Sequence, residues 1–193
     1  MIILGIDPGD STALAMVVLA PVTGLRLVGL WQVHGAPEPW HRRLDVAVAE
    51  ALALADGLGP LVVWMEAPPP SYSGTRDGRR VNHQTAAHSI GEARGAIRGA
   101  LRAAGVPMAS IRDVPSGRSG WWGAMRVGAK VGDGTHRIRE ARLVAGAWKA
   151  LEGLPADTDA ARARVVDAAE AILIGAAGAV AGGGVLEKGE RPR

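Results

Sequence analysis

The chain opens with a short apolar run, Ile2-Ile3-Leu4-Gly5-Ile6, that stops at Asp7. A second run covers Ala13 to Leu19. After the turn signal Pro21-Val22-Thr23-Gly24, residues Leu25, Leu27, Gly29, Trp31 and Val33 recur at every second position. Runs of this length bounded by turn residues predict three strands, and their short connections predict an antiparallel meander. Over 39–56 the period changes: Trp40, Leu44, Ala47 or Val48, Ala51 and Leu54 fall at helical spacing, and Gly57 and Gly59 end the helix. Leu61-Val62-Val63-Trp64-Met65 is a buried strand ending at Glu66.

Pro68-Pro69-Pro70 blocks regular continuation, and 67–81 reads as a long loop rich in Pro, Ser, Gly and Arg. Residues 83–104 form a helix with Ala86, Ile90, Ala93, Ile97 and Leu101 on one face. A short strand at 111–114, a Gly-rich basic loop at 115–134 and one helix over 135–152 follow. A last helix covers about 160–180. The predicted class is α/β: an antiparallel meander plus parallel strands in a mixed sheet flanked by helices. Residues 1–181 read as one domain and 182–193 as a flexible polar C-terminal tail.

Composition excludes several chemistries. There is no cysteine, hence no disulfide framework, thiolate zinc site or cysteine nucleophile. No apolar run is long enough to cross a membrane, and residues 1–7 lack the charged start of a signal peptide, so the expectation is a soluble cytoplasmic protein without a membrane partner. The formal charge is only +3, but it is unevenly spread: residues 1–70 carry 3 basic and 7 acidic groups, whereas residues 110–149 carry 8 and 3. Arginine far outnumbers lysine. A GC-rich genome would explain that bias; it does not explain the clustering. Clustered arginines offer planar forks to phosphate.

Four acids stand out by context. Asp7 and Glu66 each end an apolar strand, and Asp167 and Glu170 lie within Val165-Val166-Asp167-Ala168-Ala169-Glu170-Ala171-Ile172. Taken singly, an Asp after a strand is a turn residue and an acidic pair is a solvated helix edge. Taken together, ionised acids in apolar surroundings are costly unless a cation compensates them. A spacing of three sets Asp167 and Glu170 on one helix face, with Cβ atoms roughly 5–6 Å apart. Four hard oxygen donors suit Mg²⁺ or Mn²⁺, and a pair of such ions can hydrolyse a phosphodiester.

The segment Ile3-Leu4-Gly5-Ile6-Asp7-Pro8-Gly9-Asp10-Ser11-Thr12 resembles the first-strand motif of RuvC-like Holliday-junction resolvases, in the ribonuclease-H-like superfamily. Val62-Val63-Trp64-Met65-Glu66 resembles their fourth-strand glutamate, and Asp167-Ala168-Ala169-Glu170-Ala171 their C-terminal acidic pair. The order and separations match over about residues 2–178. The resemblance implies a ribonuclease-H-like fold and a homodimer that cuts four-way DNA junctions in pairs. It also implies two Mg²⁺ ions per site, with Mn²⁺ able to substitute, held by Asp7, Glu66, Asp167 and Glu170 as catalytic acids. Two positions depart from the pattern: Ala13 stands where Gly is usual, and Glu170 where Asp is usual. The low lysine content is more like a phage-encoded or divergent member.

Other residues attract weaker expectations. Arg76, Arg79, Arg80, Arg118, Trp121, Trp122, Arg126 and Lys130 are candidate DNA contacts, with the two tryptophans either stacking on bases or packing on the domain. Trp31, Trp40, Trp64 and Trp148 read as packing residues. Asp10 supports the turn or the site. No histidine pair has zinc-ligand spacing, and His136 is the one histidine placed beside the basic loop. Gly91, Gly95 and Gly99 form a flat stripe on their helix, suited to a neighbouring helix in the chain or in a second copy, and Arg94, Arg98 and Arg102 form a basic stripe. Three alternatives remain open from the sequence. One is another ribonuclease-H-like nuclease acting on branched DNA or an RNA/DNA hybrid. Another is a non-cleaving junction-binding protein. The third is an actin-like ATPase, whose phosphate loop Asp7-Pro8-Gly9 also resembles, although that class needs a second such loop and a longer chain.

Overall fold

Strand β1 (Ile2–Asp7) is buried along its whole length, so alternation decides which layer each residue meets. Ile2, Leu4 and Ile6 join one core cluster and Ile3 joins another on the opposite face. Asp7 shares the face of Ile3 and Gly5. Strand β2 (Thr12–Ala20) pairs antiparallel with β1, and β3 (Gly24–Val33) pairs antiparallel with β2. The expected meander is therefore present. Helix α1 (Trp40–Ala55) leads to β4 (Leu61–Glu66), which lies parallel to β1 on its other side. Further along the chain, β7 (Ile111–Val114) extends the sheet parallel to β4, giving the order β3-β2-β1-β4-β7. This computed structural model describes the chain except residues 10, 21–23, 35–38, 69–72, 77–78, 83, 116–119, 126–134, 143 and 182–193; at 73–76, 79–82, 84–87, 122 and 135 only the backbone is described. The expected C-terminal tail and the Asp10 assignment thus lie outside the described residues.

One face of the sheet is covered by α1 and by α2 (Gln84–Ala103). Leu44, Val48 and Ala51 from α1, and Ile97 and Leu101 from α2, pack on Leu4, Ile6, Leu14, Met16 and Val63. The other face is covered by α6 (Asp159–Ala181). The Thr158 hydroxyl caps this helix by accepting the Ala161 N–H at 3.1 Å. Three shorter helices, α3 (Trp121–Ala124), α4 (Thr135–Ala141) and α5 (Ala147–Glu152), close over the far side of α6. Helix α6 is therefore apolar nearly all round because it is enclosed on nearly all sides.

The structure corrects two sequence expectations of local structure. Part of 67–81 forms a hairpin, β5 (Ser73–Arg76) with β6 (Arg79–Asn82), in place of an unstructured loop. The single helix expected over 135–152 is two helices. Between them, Ala145 pairs with the edge of β3: its N–H donates to the Leu25 carbonyl at 3.2 Å and its carbonyl accepts the Leu27 N–H at 2.9 Å. Gly146 then takes φ +85°, which glycine adopts without strain. Satisfying an exposed strand edge outweighs continuing a short helix here. Trp148, expected to pack, is 49% exposed, with the Arg142 guanidinium stacked 3.8 Å from its ring centroid.

Helix α6 lies unusually close to the sheet. A Cβ built on Gly5 would fall under 3.0 Å from the Ala171 carbonyl and from the Gly175 backbone. Gly178 sits against Ile3 and Trp64 in the same way. Replacing Gly5 by Ala is expected to lower stability by about 1–3 kcal/mol or more, because no side-chain rotation relieves a backbone clash. Gly95→Ala on α2, where nothing lies within 4 Å, is expected to raise stability by up to about 1 kcal/mol through helix propensity. Urea midpoints of the two variants check both signs.

Candidate active site

Position along the strands brings the acids to one place. In β4, Val62 and Trp64 pack in the α6-side core while Val63 and Met65 face the other way. Glu66 therefore points to α6, as Asp7 does. Both acids stand at the C-terminal ends of adjacent parallel strands. Helix α6 crosses that edge, with Asp167 and Glu170 one turn apart. Carboxylate oxygens of Asp7, Glu66 and Glu170 all lie within 4.8 Å of one another. Asp7 and Glu170 are buried and Glu66 is half-buried. Asp167 borders this triad, close enough for its charge to act on Asp7.

The turn between β1 and β2 is closed by Thr12, whose hydroxyl donates to the Gly9 carbonyl at 2.9 Å and accepts the Gly9 N–H at 3.3 Å. Ala13 pairs directly with Asp7 and is fully buried, so β2 runs unbroken from the turn.

Burial and repulsion govern the electrostatics. Burial above all, and then the charges of Glu66 and Asp167, push the Asp7 carboxyl well above its ordinary range; Arg137 pulls the other way. Burial also raises Asp167, opposed by the neighbouring Ser11 hydroxyl and by the charges of Arg137 and Arg164. Arg137, on α4, forms an ion pair with Glu170 and feels the charges of Glu66, Asp7 and Asp167, while its own burial lowers it. The Trp121 indole N–H donates to Glu66 Oε1 at 3.2 Å.

Arg137 and the Trp121–Glu66 contact were not legible as site features in the sequence. The available signal for Arg137 was a cation four residues before Ala141, on the buried stripe of a short helix. Trp121 itself needs correcting as a DNA contact: it is fully buried, and its ring is part of the core against α6. Arg76 and Arg79 are paired positions at the end of the β5–β6 hairpin, and Arg80 follows on β6. Arg118, Arg126 and Lys130 lie outside the described residues, as does the side chain of Trp122. His136 lies 3.6 Å from Glu140 on its own helix. The basic stripe of α2 is partly neutralised, since Arg94 and Arg98 both bond to Asp113, the latter at 2.6 Å.

With this geometry in view, solved structures supply the comparison. The structure of RuvC from Thermus thermophilus superposes with a TM-score of 0.56 and 23% identity, over 94% of this chain and 97% of that one. The structure of T. thermophilus RuvC in complex with a Holliday junction substrate gives a TM-score of 0.54 and 21% identity, over 95% and 98%. The chain has the RuvC fold. The mixed sheet expected from the hydrophobic pattern is that of ribonuclease-H-like proteins. No protein-family model and no curated protein sequence matches the chain. Among the described residues, no helix is long and apolar enough to cross a membrane.

The electrostatics give opposite expectations for two variants of the metal-free protein. Asp7 has its folded-state pKa raised above the unfolded value, so its favourable contribution is present below the ordinary Asp range and is lost as pH rises through the raised value. Asp7→Asn is therefore expected to stabilise the metal-free protein at neutral pH, on the order of 1–3 kcal/mol, and to have little effect in acid. Arg137→Gln is expected to destabilise it by about 3 kcal/mol, because it leaves a buried carboxylate without its partner. Added Mg²⁺ should raise the melting temperature of Arg137→Gln more than that of the wild type. Urea and thermal melts in EDTA at pH 3 and pH 8, with the pH 8 melts repeated in Mg²⁺, measure these effects.

Proposed function

We propose that the chain is a divalent-metal-dependent endonuclease that resolves four-way DNA junctions by paired phosphodiester hydrolysis, a crossover junction endodeoxyribonuclease. The observation that carries this reading is the convergence of three carboxylates within 4.8 Å, with a fourth beside them, at the C-terminal edge of a sheet. The fold shared with RuvC, one structure of which was solved with a Holliday junction substrate, supports the choice of DNA.

The donor set fits the proposed ions. It consists of hard carboxylate oxygens, held where burial makes uncompensated charge expensive. Asp7, Glu66, Asp167 and Glu170 would hold two Mg²⁺ ions, or Mn²⁺ in their place. Bound there, such ions would supply a nucleophilic water and stabilise the leaving oxygen of the phosphodiester. Asp7, buried within the cluster, would be one of the residues that hold the ions. Trp121 fixes the orientation of Glu66 through its N–H and keeps that side of the site dry. Arg137 balances Glu170 in the metal-free protein.

Residues 1–181 are the proposed nuclease unit, followed by a tail at 182–193, acting in the cytoplasm, or in the host cytoplasm for a phage-encoded protein. Arg76, Arg79, Arg80, Arg118, Trp122, Arg126 and Lys130 are proposed to contact DNA. Incubation with end-labelled four-way, duplex, single-stranded and hybrid substrates in Mg²⁺ or Mn²⁺ tests the activity. Asp7→Asn is expected to cut the junction on the order of a hundredfold or more slowly. Normal cleavage by this variant would overturn the metal-site reading. Cleavage of duplex or hybrid in preference to the junction would overturn the choice of substrate alone.

Paired cuts require two sites, so the working unit is proposed to be a two-fold symmetric homodimer, matching the pseudo-two-fold symmetry of the junction. On α2, Gly91, Gly95 and Gly99 are exposed, with open space where a Cβ would go, while Ala93, Ile97 and Leu101 face the core. That leaves the glycine stripe facing outward and suited to a second copy. Gly95→Leu is expected to weaken dimerisation by light scattering and to turn paired cuts of a cruciform plasmid into single nicks. A monomer that makes fully paired cuts would refute the dimer.

A further inference from the structure

Beside the acid cluster, the same sheet edge carries a second group of charges. Gln32 on β3 pairs with Ala13, and Ala13 pairs with Asp7, so the three share one row and one face across three strands. At the usual strand spacing Gln32 is about 10 Å from Asp7. Its side-chain amide donates to the Arg164 carbonyl on α6, one turn before Asp167. His34 follows directly after the end of β3 and lies close enough to Arg164 to feel its charge. Arg43 reaches in from α1 and donates from Nη1 to the His34 carbonyl at 3.0 Å.

These contacts hold the backbone of Arg164 and of His34 and the side chain of Arg43 in a short arc. Arg164 acts electrostatically on both Asp167 and His34, so the arc begins where the acids end. Burial, together with the Arg164 and Arg43 charges, lowers the His34 pKa, and no carboxylate contributes. Among the described residues, neither Arg43 nor Arg164 forms an ion pair, whereas Arg94, Arg98, Arg137 and Arg162 all do. All three side chains of the arc are half-buried and keep part of their surface open to solvent. Two half-open guanidinium groups flank His34, and among the described residues only Asp167, beside Arg164, sets a carboxylate charge against either; both can still offer a planar fork to a phosphate.

We propose that His34, Arg43 and Arg164 form a phosphate-binding patch that holds the nucleic-acid backbone phosphate flanking the one cleaved at the acid cluster. The proposal rests on the nuclease reading above and adds a subsite to it. Successive phosphates along one strand are separated by several ångströms, so a backbone crossing the acids toward β3 would run onto this arc. Gln32 is the positioning residue, since it holds the turn of α6 that carries Arg164.

The test is a salt series of four-way-junction binding in EDTA, where no cleavage occurs, comparing the wild type with Arg43→Gln/Arg164→Gln. The double variant is expected to bind about tenfold more weakly at low salt and to reduce the slope of log affinity against log salt by about two. The charge-preserving Arg43→Lys/Arg164→Lys is expected to keep the wild-type slope, which separates phosphate contact from structural support. Arg26→Gln, at the opposite end of β3, is expected to leave the slope unchanged. An unchanged slope in the Gln double variant overturns the patch, and so does an equal drop in Arg26→Gln. Cleavage in Mg²⁺ is scored separately. A reduced slope in a protein that cuts no substrate supports the patch and refutes the nuclease reading, whereas cleavage with an unchanged slope does the reverse.

Discussion

Backbone meets backbone where α6 crosses β1 at Gly5, Ala171 and Gly175, and the geometry of the acid cluster depends on that contact. Two of the acids belong to strand ends and two to a helix more than 90 residues later in the chain. They can share a cation only if the helix lies nearly on the strands. A Cβ at Gly5 would lift the helix and widen the cluster. The same closeness explains why α6 turns small residues toward the sheet, and why further helices must cover its outer side.

That closeness has an electrostatic cost. Four carboxylates are gathered where burial disfavours charge, and burial raises both Asp7 and Asp167 above their ordinary range. The fold offsets part of this cost: the Arg137 guanidinium stands against Glu170, the Trp121 N–H against Glu66, and Ser11 and Arg164 beside Asp167. A site with excess negative charge, rigid donors and limited solvent is suited to a divalent cation, whose charge converts mutual repulsion into shared coordination. Beyond the acids, Arg164 and Arg43 bring positive charge to the same edge. In the proposed nuclease these charges would attract a polyanionic substrate to a centre that would repel it without metal.

Much of this was legible locally. Alternation and run length marked β1 to β4, helical spacing marked α1 and α2, and an acid at the end of each of two apolar strands marked the site. The main failures came from contacts between segments distant in the chain. Residues 135–152 have a continuous helical pattern, but the open edge of β3 pairs with Ala145 and breaks it. Trp121, in a glycine-rich basic segment, resembled a stacking residue, yet it fills the core against α6. Trp148 sat at a helical core position and is half exposed beneath Arg142.

By itself, the sequence determined the type of most elements, the parity that points Asp7 and Glu66 to one side of a sheet, and the i, i+3 spacing that aligns Asp167 with Glu170. These properties follow from chain geometry over a few residues, which hydrophobic periodicity records. Tertiary structure alone decided that Arg137 lies against Glu170, that Trp121 holds Glu66, and that Gln32 holds the turn of α6 carrying Arg164 beside His34. These are single contacts between segments far apart in the chain. They depend on which surfaces remain to be covered once the sheet has formed, and a one-to-one pairing of that kind leaves no period in the sequence.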